Sequence, residues 1–570
     1  MTNLVENVKH EIKSVVEKAL AASIAKGELA EVPIPEILVE VPREKEHGDF
    51  SANTAMLLTK QLKKAPREIA QVLIKNMDFT GTFIEKVECA GPGFINFYLS
   101  NKWLYKSLDI VVSENEDYGR INIGNGKKVM VEYVSANPTG PLHMGNARGG
   151  ALGDCIASVL DAAGYDVTRE FYINDAGNQI EKFGISLEAR YLQLILGEDA
   201  VTFPEDGYMG EDIIDHMKDY IALYGDKLVN AEPSKRQKEL VDFALPRNIE
   251  NIKNALSSYG VNHDVWFSEK TLHDSGAIDE AIKMLIEKGA TVEKEGALWL
   301  KASVIGAEKD EVLVRNNGIP TYFAADIAYH MNKFIKRGFD RVINLWGADH
   351  HGHVSRMKGA MAALGIDPSR LDVVLFQLVR LYRNGEIARM SKRTGRTISL
   401  VELLEELSVD DRPGKDAARY YFNMIASGVH LDFHLDLAVS QSKDNPVYYV
   451  QYAHARICSI LKRLAEEGIQ MPQKGEADLT NLTAKEELQL IKRLAEYPEE
   501  IRISAATLEP SRLTRYATDI AALFHSFYTE CHVKNSEEKV MKARIILVEA
   551  TRIVLRNVLT LLKISAPEKM

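Results

Sequence analysis

Apolar residues recur three and four apart at Val5, Val8, Ile12, Val15, Val16 and Leu20, the spacing of a helix with one buried face. The period changes at Lys128 to Val134, a β-branched run that predicts a buried strand. Ser135 to Leu142, rich in proline, glycine and asparagine, predicts a turn, and Ile156, Val159 and Leu160 beyond Gly145 predict a helix. A strand, a loop and a helix N-terminus in that order present unsatisfied backbone N–H groups that attract phosphate. Further along, Arg341 to Trp346 reads as a strand, Val354 to Leu364 as a helix, and Val373 to Tyr382 as another hydrophobic run. From Asn445 the helical period is almost continuous, through Leu513, Tyr516, Ile520, Leu523, Phe524 and Phe527 and then Ile545, Val548, Leu555 and Leu559, which predicts a bundle.

These periods divide the chain. Residues 1 to about 115 predict a small α/β module, and residues from about 120 to 440 predict an α/β sheet domain, interrupted near 185 to 300 by an acidic, largely helical insertion. Residues 445 to 570 predict the all-helical bundle. A length of 570 residues with 46% apolar content suits several packed cores. No apolar run is long enough to span a bilayer and Met1 to Ala21 has no basic-then-apolar leader, so a cytoplasmic enzyme without a membrane partner is expected. Cys89, Cys155, Cys458 and Cys531 are too scattered for a zinc knuckle or a disulfide framework and read as incidental thiols. The net charge of −11 hides an asymmetry. Asn445 to Met570 carries 18 Lys and Arg against 16 Asp and Glu, a balance of +2, leaving 52 against 65, or −13, for the remainder.

The candidate chemistry sits in the predicted turn, Ser135-Ala-Asn-Pro-Thr-Gly-Pro-Leu-His-Met-Gly-Asn146. His143 and Asn146 can both donate hydrogen bonds to phosphate oxygens, and Gly145 lets a nucleotide lie against the backbone. A second element, Ala388-Arg-Met-Ser-Lys-Arg-Thr-Gly-Arg396, follows the Val373 to Tyr382 run. His143 to Asn146 resembles the first signature of class I aminoacyl-tRNA synthetases, His-x-Gly-His, with Asn146 replacing the second histidine. Ala388 to Arg396 resembles their second signature, Lys-Met-Ser-Lys-Ser, with Arg389 and Arg393 as replacements and Lys392 in the place of the catalytic lysine. The resemblance implies a Rossmann-like catalytic domain that binds ATP with Mg²⁺. Amino-acid activation is attack of a carboxylate on the α-phosphorus, so the nucleophile is already charged. The site must supply alignment and countercharge rather than a general base. His143, Gly145, Asn146, Met390, Ser391 and Lys392 are the residues implied to meet ATP, with His143, Asn146 and Lys392 catalytic. Mg²⁺ keeps several waters and needs few protein ligands, so no metal-binding residue is expected.

A guanidinium substrate needs paired acceptors, because its five fixed N–H donors are costly to bury unmatched. Tyr322 and Asp326 are four apart and share a face on a helical turn, while Glu132 precedes the first signature. With Tyr322-Phe-Ala-Ala-Asp326 and Trp346-Gly-Ala-Asp-His-His-Gly-His353, the set is similar to arginyl-tRNA synthetases of bacterial type over essentially the whole chain. That resemblance implies that Glu132, Ser135, Asn137, Tyr322 and Asp326 surround arginine, with Glu132 and Asp326 matched to its cationic end. Asp349-His350-His351-Gly-His353 is open to a zinc or manganese reading, yet neighbouring residues in a turn rarely all point at one ion. It stands at a predicted strand's C-terminal end, where α/β sheets bind ligands, so Asp349 and His350 are assigned to the nucleotide.

The bundle opens with Asn445-Pro-Val-Tyr-Tyr-Val-Gln-Tyr-Ala-His-Ala-Arg456 and ends with Ile564 to Met570, both resembling the arginyl family's anticodon-binding domain. Tyr448, Tyr449, Tyr452, His454 and Arg456 are the candidate tRNA contacts, since aromatic faces accept unpaired bases; packing between helices is the alternative for each tyrosine. The N-terminal module, with Lys60, Lys63, Lys64 and Arg67, resembles the family's additional domain, which meets the tRNA elbow, although a solvated helix face explains these charges equally. The family also implies a monomer that forms its adenylate only with tRNA present. Other readings are a synthetase for another amino acid such as cysteine, whose zinc-binding cysteines are missing here, a non-catalytic RNA-binding relative, and a metal-dependent hydrolase built on Asp349-His350-His351.

Overall fold

The structure, a computed structural model, describes residues 3–42, 44–388 and 398–570. The site is positioned by a five-stranded parallel sheet: β1 (Lys128–Glu132), β2 (Asp166–Ile173), β3 (Val265–Ser268), β4 (Arg341–Gly347) and β5 (Leu371–Phe376), in spatial order β5-β4-β1-β2-β3. The strand order reverses at β1, so a crevice opens at the carboxyl ends of β1 and β4, the switch point where doubly wound sheets take their ligands. Val129, Met130 and Val131 are fully buried, as a strand covered by helices on both faces requires.

Helix α1 (Met144–Ala162) follows β1 and packs closely on it. A Cβ on Gly153 would lie 2.2 Å from the ring of Tyr133, so only glycine permits this approach. The predicted strand runs on to Val134, but the ladder ends at Glu132, because Val134 and Ser135 take positive φ of 71° and 40°. A β-branched residue held there stores backbone strain and turns the chain sharply into the signature loop.

The helices Asn178–Leu196, Glu211–Tyr224 and Pro233–Ser258 intervene between β2 and β3. Val265–Ser268 lies within the stretch expected to be a helical insertion, yet it pairs with β2 as the edge strand of the central sheet. Thr291–Lys294 and Ala297–Leu300 join Glu311–Val314 in a separate antiparallel sheet. The Val373 to Tyr382 run is likewise two strands. After β5, Gln377 donates its N–H to Ser427 O, and Val379–Arg383 pairs with Leu431–His434 in another sheet.

Helix α2 (Tyr322–Met331), which widens into a π turn over Asn332–Lys336, leads to β4, and α3 (His351–Ala363) leads from it. Residues 4–99 form a four-stranded antiparallel sheet covered by helices, with Val8, Ile12, Val16 and Leu20 buried as their spacing predicts. The C-terminal helices include α4 (Pro446–Glu466) and α5 (Glu538–Leu561), and Leu513, Tyr516, Ile520, Phe524 and Phe527 of the helix Ser511–Glu530 are fully buried in the bundle. Ion pairs from Lys9 to Glu499 at 3.0 Å and from Lys492 to Asp49 at 2.6 Å join the two ends of the chain.

Candidate active site

The first signature is a helix cap. His143 Nδ1 accepts from Gly145 N–H at 3.2 Å, and Asn146 Oδ1 accepts from His143 N–H at 3.1 Å, a reciprocal capping box at the start of α1. The bond to Nδ1 puts the proton of a neutral His143 on Nε2, where it can be donated outward. Burial holds the His143 pKa below the ordinary histidine value, which favours that neutral form. Asn146 spends its oxygen on the cap, so its amide NH₂ is the group left for a phosphate. A Cβ on Gly145 would press on the His143 ring at 3.2 Å. One turn along, Arg148 is completely buried, and its guanidinium donates to the carbonyls of Gln377 at 2.6 Å, Ala426 at 3.2 Å and Val429 at 2.9 Å. Burial lowers its pKa to about 10.

Arg389, Met390, Ser391, Lys392 and Arg393 of the second signature lie outside the described residues. Their described flank meets the first signature directly, since His143 pairs with Ser399 and Leu400 N–H donates to Leu142 O at 2.8 Å.

Beside α1, a cavity of about 500 Å³ opens at the ends of β1 and β4. Glu132, Ser135, Tyr322, Asp326, Asp349 and His350 line it, which brings together six residues singled out by sequence; Asn137 is exposed on the loop outside it. Tyr322 and Asp326 share a face of α2, whose first turn is capped by Thr321. His353 donates to Asp326 Oδ2 at 2.8 Å. Burial alone would raise the Asp326 carboxyl, but the His353 hydrogen bond and the surrounding His330, His353 and Lys333 outweigh it and hold the pKa below the usual carboxylate range. The acid is therefore an ionised acceptor at the cavity wall.

Glu132 also lines the cavity and already has partners within the protein. Its Oε2 accepts from the fully buried Lys333 at 2.5 Å and its Oε1 from Ser135 Oγ at 3.0 Å, so its charge is already compensated by the protein. Sequence reasoning missed Lys333 and the part played by His353. Spacing gave only a partial signal for Lys333, since Asp326, His330 and Lys333 at i, i+4 and i+7 predict a shared helix face but not the π turn or the Glu132 partner. Asp349 and His350 are exposed on the cavity rim with Oδ2 and Nε2 3.6 Å apart. Among the described residues, no three His, Cys, Asp or Glu side chains gather around a metal position.

On α4, Tyr448 and Tyr452 stack at 6.0 Å between centroids, Arg412 lies over Tyr448, and Arg456 lies 4.8 Å from the centroid of Tyr528. Tyr452 remains 39% exposed. Tyr449 is half-buried against His525. His454 does not join this face. It is 2% exposed and its Nδ1–H donates to Pro567 O at 2.9 Å, so the ring ties down the C-terminal tail rather than offering a stacking surface.

A family model described as the class I (R) tRNA synthetase catalytic domain matches residues 107–412, and the arginyl tRNA synthetase N-terminal domain and the DALR anticodon-binding domain match 6–99 and 450–570. The arginine–tRNA ligase of Ruminiclostridium cellulolyticum is 66% identical over 570 residues, covering all of both chains. The chain belongs to the arginyl-tRNA synthetases. A second arginyl-family ligase, from Acetivibrio thermocellus, is 65% identical over the same full length. Among solved structures, a putative arginyl-tRNA synthetase from Campylobacter jejuni superposes with a TM-score of 0.75 at 32% identity, covering 83% of this chain and 100% of its own. The Thermus thermophilus arginyl-tRNA synthetase shares the fold, with a TM-score of 0.74 at 22% identity over 97% of this chain and 99% of its own.

Proposed function

We propose that this arginine–tRNA ligase binds L-arginine in the cavity at the ends of β1 and β4, with the guanidinium on Asp326 and against Tyr322, and the α-substituents toward Ser135 and the Asn137 loop. The observation that carries the assignment is the convergence of an ionised Asp326, Tyr322 and a pre-compensated Glu132 beside the capped N-terminus of α1. ATP lies across that N-terminus, on His143 Nε2–H, the Asn146 amide and the backbone at Gly145, with Asp349 and His350 at the rim. Mg²⁺ would enter as part of the ATP complex and would supply countercharge to its phosphates.

The arginine carboxylate attacks the α-phosphorus, arginyl-adenylate forms and diphosphate leaves. The 3′-terminal ribose hydroxyl of tRNA then attacks the activated carbonyl, releasing AMP. His143 and Asn146 steady the phosphates from one side, while Lys392, Met390 and Ser391 of the second signature supply charge and contacts from the other. Tyr448, Tyr452 and Arg456 form an aromatic and cationic face suited to unpaired anticodon bases. The N-terminal module, assigned to the tRNA elbow by family likeness, is bound to the bundle by ion pairs from Lys9 to Glu499, Lys492 to Asp49 and Arg502 to Glu6, which favours one continuous tRNA-binding face. No helix among the described residues is long and apolar enough to cross a membrane. Action in the cytoplasm as a monomer completes the reading.

The deciding experiment is aminoacylation of total tRNA with each amino acid offered in turn. Only arginine is esterified efficiently, because a planar fork matches Asp326 where lysine's point charge does not. A preference for lysine or a neutral amino acid overturns the assignment.

A further inference from the structure

Lys333 does not line the cavity, yet its ammonium group is the most heavily engaged charge near it. It is 0% exposed and donates to Glu132 Oε2 at 2.5 Å and to Asn344 Oδ1 at 3.1 Å, and it lies 4.0 Å from the centroid of the Tyr329 ring. Two hydrogen bonds and an aromatic face thus engage the ammonium group. The π turn after α2 delivers it there, and parallel register sets Asn344 of β4 beside Glu132 of β1, so one cation reaches both.

The network extends in both directions. Asn344 Nδ2–H donates to His330 Nε2 at 2.7 Å, and His330 Nδ1–H donates to the Asp326 carbonyl at 2.8 Å. Burial pushes the His330 pKa down to about 3, so this ring is a neutral relay with a fixed tautomer. On the other side, Glu132 Oε1 accepts from Ser135 Oγ–H, and Ser135 Oγ accepts from Tyr172 N–H at 3.1 Å. Val134 and Ser135, both lining the cavity, are held at positive φ. Strain of this kind persists only where the surroundings over-determine it.

We propose that Lys333 is a positioning residue for arginine recognition. It cancels the Glu132 charge and fixes that carboxylate on Ser135, so that of the two acids on the inner wall Asp326 is the one left to accept from a guanidinium, in front of a rigid wall. The proposal rests on the reading of this cavity as the arginine site. Removing Lys333 strands a buried carboxylate, which then turns toward any available proton or cation and releases the strained turn. Lys333 acts mainly through Glu132, its direct attraction for Asp326 being the smaller part, so most of the effect of its loss disappears once Glu132 is neutral.

The test is steady-state aminoacylation of tRNA by the full chain carrying Lys333→Met, Glu132→Gln, both, or Asp326→Asn, with folding checked by circular dichroism. Lys333→Met raises the arginine KM by about tenfold or more and leaves the ATP KM within about twofold, the signature of a lost ground-state contact confined to one substrate. The double variant is no worse than Glu132→Gln alone, and the change stays confined to the arginine KM, a combination that a purely packing role does not produce. Should Lys333→Met fold poorly, Lys333→Gln removes the charge while keeping polar atoms for Asn344, and the same pattern is expected of it. The inference is overturned if Asp326→Asn raises the arginine KM while Lys333→Met leaves it unchanged, or if the Lys333 and Glu132 effects add. If Asp326→Asn leaves the arginine KM unchanged, the cavity assignment itself falls.

Discussion

Asp326 and Glu132 carry the same charge into one cavity, but the protein answers them differently. A histidine hydrogen-bonds Asp326 and a buried ammonium neutralises Glu132. Asp326→Asn turns a charge-assisted acceptor into a half-donor facing a cation, so the arginine KM rises by ~10²-fold with little change for ATP, measured in tRNA-dependent aminoacylation. An unchanged KM removes Asp326 from the pocket. Lys392→Ala tests the other substrate's charge, and it lowers kcat by ~10²–10³ with a smaller effect on arginine KM, as expected for one lost preorganised donor. Turnover within about a factor of two means that the signature is misassigned, because one such donor is worth far more. At this scale, the residues that face the cavity were legible, since Glu132, Ser135, Tyr322, Asp326, Asp349 and His350 all line it. The supporting groups were not. A partner such as Lys333 reaches Glu132 only through β4–β1 register and a π turn, neither of which periodicity reveals.

Elements with a strong period were legible, and those defined by their neighbours were not. Helices α1, α3 and α4 stand where apolar spacing places them, whereas β3 has only four residues and is a strand solely because β2 offers an edge. The break at Gln377 is similarly invisible in an unbroken hydrophobic run. Helix α4 shows the same limit on one surface. Tyr448 and Tyr452 at i and i+4 stack as their spacing allows, while His454, two positions on, points into the bundle and holds Pro567. The consequence is a graded prediction along one helix. Tyr452→Ala removes an exposed stacking face worth ~1–3 kcal/mol per base, raises the tRNA KM by about tenfold and leaves the ATP KM alone. His454→Ala instead loosens the C-terminal tail, which a lowered melting temperature detects. If Tyr452→Ala charges tRNA with wild-type KM while His454→Ala raises it without loss of stability, the two roles are reversed.

At the scale of the whole molecule, one buried side chain gathers segments far apart in sequence. Arg419 is completely buried and donates to Asp154 Oδ2 on α1 at 2.6 Å, to Leu562 O at the end of α5 at 2.9 Å, and to the carbonyls of Tyr259 and Gly260 at 3.5 and 3.4 Å, just past the helix Pro233–Ser258. The signature helix, the inserted helices and the end of the C-terminal bundle therefore share one guanidinium. Nearby, Asp416 accepts from Ser565 N–H at 3.2 Å and from Gln451 of α4 at 2.9 Å, so the tail after α5 is strapped back onto the same region. Periodicity marked these segments as separate pieces with opposite charge balances, and nothing in a linear pattern says that they meet at Arg419. Arg419→Met leaves the buried Asp154 with only the long contacts to Arg169 at 3.8 Å and Tyr133 at 3.5 Å and should cost ~3 kcal/mol, while pairing it with Asp154→Asn should recover much of that loss. Because the chain has several cores, a single free energy is ill-defined, and the measurement is the urea midpoint followed separately by far-ultraviolet circular dichroism and by aminoacylation activity. In the wild type the two midpoints coincide. In Arg419→Met activity is lost at lower urea than secondary structure, because the helix carrying His143 and Asn146 uncouples before the bundle melts. Coincident midpoints at the wild-type position would show that Arg419 contributes no coupling between the catalytic sheet and the bundle.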